Sequence, residues 1–476
     1  MLALDLGTTG VRALAVDAEG RVLARAWRPL AATFPKPGWV EQDPAEWWAR
    51  SVEVLGMALA EARLAAREVA AIGVVTQRST ALAWEADGGV PLAPAIGWQD
   101  QRTEARVRDL VSRGIPASTM TSSSKLEWLL TQVLPSRGRS RLRLGTPDVW
   151  LTDRLSGGAA FATDPSQASC TGLYDFASGA WHAAGCALFG IDPAWLPVIG
   201  PSSAIVGETP ARLFGAPIPI AARAGDQQAA TFAQGALAPG DAKLTVGTAA
   251  MLDVHTGAAP ARPRRGAYPL ALCELAGAGR AFCLEGTVIT AGAAIEWLVS
   301  IGVLSSVAAL DAAASAAPSA EGVVFVPALQ GLGTPHLDAR ATGACFGITR
   351  GTSAAHLARA VVEGVAQRCT DVCEALALGD APLRLDGGLA RSEAFVQALA
   401  DASGRTLLRA AETETTGLGA ALLAGVATGL WRDAAEAVAT LASPTAIEPR
   451  CDASRRTEAR AEWLRALDRV RGSRSG

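Results

Sequence analysis

The chain has 476 residues, half of them apolar, which is enough for two or three domains with a large core. Against 46 Asp and Glu stand 43 Lys and Arg, a formal net charge of −3 that argues against nucleic acid or a membrane surface as partner. The basic residues are nearly all arginine, with lysine only at 36, 125 and 243, a bias read as codon composition without functional content. No charged leader and apolar core precede the first strand, so a cytoplasmic protein is expected.

The first dozen residues, MLALDLGTTGVR, read as a β-hairpin. Leu2-Ala3-Leu4 is a buried strand, Asp5 ends it, Gly7-Thr8-Thr9-Gly10 is the bend, and Val11 to Val16 return. Two glycines let backbone N–H groups approach an anion, and Arg12 adds a fixed positive charge. An acid beside such a nest would repel phosphate unless a divalent cation lay between them. An ordinary hairpin with an exposed Asp is the alternative on these residues alone.

Arg21 to Trp27 adds a third strand and completes an antiparallel meander. Asp43 as N-cap, Pro44 at N1 and Glu46 at N3 predict a capping box and a helix running to about Ala66. Ala71 to Thr76 is a short strand that delivers Gln77-Arg78-Ser79-Thr80 at its C-terminal end, where open α/β sheets bind ligands. Helices are predicted over Thr103 to Arg113 and Lys125 to Val133. The run Arg137, Arg139, Arg141, Arg143 lacks interleaved aromatics and reads as a solvated loop.

Near Ile218 the opening logic recurs: strand, Gly225, then Asp226. Ala242 to Leu252 is a second hairpin bent at Gly247-Thr248, and Pro382 to Ser392 is a strand, a Gly387-Gly388 turn and a helix. Two α/β halves follow, with a ligand cleft expected between them. The uncharged run Thr415 to Trp431 fits a buried glycine-rich helix better than a membrane span. Eight scattered cysteines form no CxxC pair and read as free thiols, and four dispersed histidines give His-based catalysis little support. Neither GxxxxGK[ST] nor a GxGxxG between strand and helix occurs, so P-loop and dinucleotide-binding folds lose most of their weight.

Twelve segments, taken in order, resemble one family. They are LDLGTTGVRA (4–13), GWVEQDPAEWW (38–48), VVTQRSTALAWE (74–85), AIGWQDQRT (95–103), MTSSSKLEWLLTQ (120–132), TDPSQASCTGLYD (163–175), AGDQQAATFAQG (224–235), KLTVGTAAML (243–252), LEGTVITAGAAIEWL (284–298), VPALQGLGTPHLD (326–338), FGITRGTSAAHLARAVVEG (346–364) and LDGGLARS (385–392). The chain is similar to the FGGY carbohydrate kinases, and within them to the glycerol kinase branch. One family signature fits around Lys125, and the second fits except for Cys345, where a larger apolar residue is usual.

The resemblance implies an α/β fold of two ribonuclease-H-like (actin-like ATPase) domains with an interdomain cleft: residues 1–240 for substrate and phosphate, 241–476 for nucleotide. It implies ATP as phosphoryl donor and Mg²⁺ as metal. Asp226 resembles the general base, with a share in the metal site, and Asp5 resembles the acid that holds Mg²⁺. Thr8, Thr9 and Arg12 would contact the phosphates, Gly247 and Thr248 would form a second clamp, and Gly292, Gly387, Gly388 and Ser392 would border the nucleotide. Ser392 stands where glycerol kinases usually have Asn. A homodimer or homotetramer stays open.

The acceptor pocket would comprise Arg78, Ser79, Trp98, Met120, Asp226 and Met251, and here the chain leaves its relatives. Glycerol kinases have an acid at Ser79, a Tyr at Met120 and a Phe at Met251. A lost bidentate acceptor costs on the order of 1–3 kcal/mol, so a polyol or ketose other than glycerol is expected. The loop LFGAP also lacks the glycine-rich basic insert that many bacterial glycerol kinases use for sugar-bisphosphate control. The alternatives are glycerol kinase proper and a catalytically silent sugar-sensing or switch relative.

Overall fold

The computed structural model describes residues 1–134 and 141–472, so Arg137 and Arg139 lie outside the described residues. The chain divides into two compact units. The first comprises residues 1–235, 270–281 and 414–441, and the second 236–269, 282–413 and 442–476.

The first unit opens with β1 (Leu2–Leu6), β2 (Gly10–Val16) and β3 (Val22–Pro29), the expected antiparallel meander. β1 is buried at every position because it is central: β2 flanks it on one side and β4 (Ile72–Thr76) runs parallel to it on the other. Between them α1 (Pro44–Ala62) packs on the meander. Asp43 caps α1 by accepting from the Ala45 N–H, but the predicted capping box does not form, because Glu46 turns away to accept from the Ala31 N–H. The helix also stops four residues early, where Arg63 enters the left-handed region at φ 57°.

The predicted helix at 125–133 forms and starts two residues earlier: α2 (Ser123–Trp128) continues as a π-helix over Leu129–Val133. Of the described arginines of the run, Arg141 is exposed in a turn, as a solvated loop requires, but Arg143 is not. β5 (Leu142–Gly145) carries Arg143, which pairs with Asp153 at 2.6 Å and lies over the Phe161 ring. The sheet then takes β6 (Ser203–Glu208), antiparallel to β7 (Pro219–Gly225), which runs parallel to β4. α3 (Asp226–Ala233) follows directly.

The second unit repeats this order. β8 (Ala242–Val246) and β9 (Ala250–Gly257) form a hairpin, and β10 (Gly279–Val288) pairs antiparallel with β9 from Phe282 to Val288. After α4 (Gly292–Ser300) and α5 (Ala354–Ala375), β11 (Leu383–Asp386) lies parallel to β8. α6 (Glu393–Ser403) leads to β12 (Leu407–Arg409), parallel to β11. Three antiparallel strands followed by two parallel ones thus occur in both units.

The chain re-enters the first unit as α7 (Thr415–Ala427), the predicted glycine-rich helix, buried almost throughout. Its glycines permit close approach. A methyl group on Gly419 would collide with the Ala229 carbonyl oxygen of α3, and one on Gly73 of β4 with the Ala420 carbonyl of α7. α8 (Ala453–Gly472) ends the described chain in the second unit. No helix among the described residues is long and apolar enough to cross a membrane. Gly419→Ala should therefore destabilise the first unit by about 1–3 kcal/mol through overpacking, read as a lower urea midpoint; an unchanged midpoint would mean that α3 and α7 separate freely.

Candidate active site

The opening hairpin places Asp5 opposite Arg12 in the β1–β2 register, and the Gly7 N–H closes the bend on the Gly10 carbonyl at 3.0 Å. The Asp5 carboxylate is buried, and its contact with Arg12 is loose, 3.5 Å from Nη1 to Oδ2. Burial pushes Asp5 up to about 7. Arg12 opposes the rise, while the charges of Asp226 and Glu414 add to it. Glu414, just before α7, approaches Arg12 Nε to 3.3 Å, so one guanidinium serves two carboxylates.

The bend is braced from outside. Gln42 Nε2 donates to the Thr8 carbonyl at 2.8 Å, and Gln77 Nε2 donates to Gln42 Oε1 at 2.7 Å. Trp98 Nε1 donates to Thr8 Oγ1 at 3.0 Å, which joins the expected phosphate turn to an expected acceptor residue. Thr9 is exposed, and its carbonyl accepts from the Leu30 N–H.

At the end of β4, Arg78 Nε lies 3.3 Å from Asp226 Oδ1. Asp226 is the first residue of α3, and its Oδ1 also accepts from the Gln227 N–H at 2.8 Å. Arg78 is thus an ion-pair residue, but its partner is the expected base. Ser79 adopts φ 63° and its hydroxyl donates to the Cys170 carbonyl at 3.3 Å. Met120 is 39% exposed, and its backbone N–H donates to the Ser118 hydroxyl at 3.0 Å.

Lys125 connects these pieces. Its Nζ donates to the Ser79 carbonyl at 3.1 Å and to the Trp98 carbonyl at 3.2 Å. The Trp98 loop is held in turn by Asp100, which binds Arg102 and accepts from the Val40 N–H at 2.6 Å, with Arg102 wedged between the Trp39 and Trp128 rings. Burial lowers Lys125 to about 7; Asp100 resists and Arg102 assists.

The second unit gathers the expected nucleotide residues. The Gly292 N–H bonds the Gly247 carbonyl at 2.9 Å, and the Ala291 and Ala293 N–H groups bond the Thr248 carbonyl. Gly387, at φ 94°, passes so close to Val246 that a Cβ would lie 2.6 Å from its carbonyl oxygen. Gly247, Thr248, Gly292 and Gly387 therefore meet at one end of β8, with Gly388 exposed beside them. Ser392 is committed locally: its hydroxyl donates to Asp311 and caps α6 through the Phe395 N–H. Met251 lies on β9, its sulfur 3.4 Å from the Thr287 hydroxyl.

A model of the N-terminal domain of the FGGY family of carbohydrate kinases matches residues 1–233, and its C-terminal counterpart matches residues 242–428. The chain belongs to this family. It is 42% identical to a glycerol kinase of Aromatoleum aromaticum over 99% of both chains, and 40% identical to one of Thermus brockianus over 99% and 98%. The structure of Plasmodium falciparum glycerol kinase with ADP superposes with a TM-score of 0.91 at 25% identity, covering 98% of this chain and 97% of the other. A xylulose kinase of Lactobacillus acidophilus shares the fold, with a TM-score of 0.87 at 21% identity over 100% and 98%. The protein is an ATP-dependent phosphotransferase with a hydroxyl acceptor, built on two domains of the actin-like ATPase fold.

Four contributors to this kinase's site escaped the residue-level reading: Gln42, Glu414, Cys170 and Lys125. For Lys125 a signal existed. Of 43 basic residues only three are lysine, and Lys125 and Lys243 are fully buried. Burial is where the two types differ, since lysine can lose its proton and arginine cannot. Nothing local marks the other three.

The depressed Lys125 value has a stability consequence with a definite sign. The unfolded lysine holds its proton up to about 10.5 and the folded one only to about 7, so folding stability rises with pH across that window. The urea midpoint of the wild type should gain on that of Lys125→Met between those limits. A constant difference would show that Lys125 stays charged in the folded protein.

Proposed function

We propose that this kinase transfers the γ-phosphoryl group of ATP to a small polyol or ketose bound at Arg78, Ser79 and Trp98, with Asp226 as general base. The Arg78–Asp226 ion pair beside the braced Thr8 turn is the observation that carries the reading. Arg78 lies against the carboxylate that would act as base, and both groups stand where β4 and β7 end together, Thr76 paired with Gly225. The acceptor oxygen attacks the γ-phosphorus as the bond to the β–γ bridging oxygen breaks. Its proton passes to Asp226, and ADP leaves.

Thr8, Thr9 and Arg12 serve the transferring phosphates, and Gly247, Thr248, Gly292, Gly387 and Gly388 serve the nucleotide. Mg²⁺ fits the donor chemistry. Asp5 is a buried carboxylate raised to about 7, with a single loose arginine contact, so a cation would restore its charge. Mg²⁺ takes one or two hard carboxylates and completes its shell with phosphate oxygens and water, and Asp5 and Asp226 would be those carboxylates. When bound it neutralises charge on the phosphates.

Ser79 bears on the acceptor. Its hydroxyl is engaged by the Cys170 carbonyl, so the position offers neither the acid that glycerol kinases place there nor a free donor. That favours a polyol longer than glycerol. Glycerol itself is the second reading, favoured by the 42% identity to a glycerol kinase. A coupled ADP-release assay over glycerol, erythritol, threitol, ribulose and xylulose decides between them. The proposal expects a longer acceptor to exceed glycerol in kcat/KM and Ser79→Glu to shift preference toward glycerol by about tenfold or more. No turnover with any of the five would overturn it.

A further inference from the structure

The acceptor side of the site rests on backbone atoms that its own side chains do not hold. Six non-glycine residues among those described have positive φ, and Ser79 is the only buried one. An L-residue does not keep that conformation without support. The Ser79 hydroxyl is spent on the Cys170 carbonyl, and its own carbonyl meets Lys125 Nζ. The same nitrogen binds the Trp98 carbonyl, and the Trp98 indole binds Thr8. Loops 77–80 and 97–100, flanked by the backbone pair Ala81–Ile96, are therefore tied a second time through one atom that is wholly inaccessible.

The chemistry suits the task. A lysine lowered to about 7 exchanges between ammonium and amine, and either form carries the two N–H donors that the two carbonyls receive. The charged groups that act on Lys125 are Asp100, which favours the ammonium, and Arg102, which disfavours it; burial outweighs both. Arginine, the basic residue used almost everywhere else in the chain, could not shed its proton there.

We propose that Lys125 is a positioning residue for the acceptor: by fixing the Ser79 and Trp98 carbonyls in one arrangement it sets where Arg78, Ser79 and Trp98 meet the polyol, without touching the transferred phosphate. This rests on the reading of those three residues as the acceptor site.

The test compares the wild type with Lys125→Met, using glycerol and erythritol as acceptor probes. The expected result is an acceptor KM raised about tenfold or more, with the KM for ATP within about twofold. In a Ser79→Gly background, where glycine accepts positive φ at no cost, the same substitution should raise acceptor KM by a markedly smaller factor. Lys125→Gln, which retains N–H donors on a shorter arm, should recover part of the loss. An unchanged acceptor KM overturns the inference, as does an equal rise in both KM values, which marks general loosening. Should Lys125→Met fail to fold, as judged by loss of the ADP-induced melting shift, the same criteria apply to Lys125→Gln. A wild type that turns over neither probe nor any other polyol or ketose overturns the functional reading itself, and this inference with it.

Discussion

The site depends first on the pairing of Asp5 with Arg12 across the opening hairpin. Antiparallel register sets the two side chains opposite each other, and the sheet buries the acid while leaving the arginine partly in solvent. The result is a carboxylate whose ionisation burial resists and whose nearest cation is too loose to secure it. A group in that state gains from a metal ion, and the guanidinium shared between Asp5 and Glu414 lies beside it. The neighbouring braces, Gln42 and Trp98 on Thr8, hold the bend between the two.

Repetition of one strand order in two units explains why glycine-rich bends recur at 7–10, 247–248 and 387–388. In each unit a hairpin lies beside a parallel strand, so its bend and the end of that strand are neighbours. The first unit fills the place with Arg78 and Asp226, which suits proton transfer. The second fills it with Gly387 and the start of α4, which suits close backbone approach to a nucleotide.

Much of this was legible in local sequence. The opening hairpin, the cap at Asp43, the strand ending at Thr76 and the Gly247-Thr248 bend each rest on residues within a few positions of one another. What was not legible depends on residues far apart in the chain. Glu46 abandons its capping box because Ala31 offers a partner. Arg143 enters a strand because β5 pairs with Leu82–Glu85. Glu414 reaches Arg12 only because α7 returns to the first unit. Lys125 is the instructive case: the family signature and the scarcity of lysine both marked it, but its burial between two carbonyls came only with the fold.

The central claim is the proposal that Asp226, paired with Arg78, takes the proton from the acceptor. The most direct test of that proposed role is Asp226→Asn, followed in parallel by ADP-induced melting shift and by ADP release with the best acceptor. The account predicts a shift like that of the wild type and turnover reduced by about a thousandfold or more. Turnover within about tenfold of wild type would contradict it and move the base elsewhere.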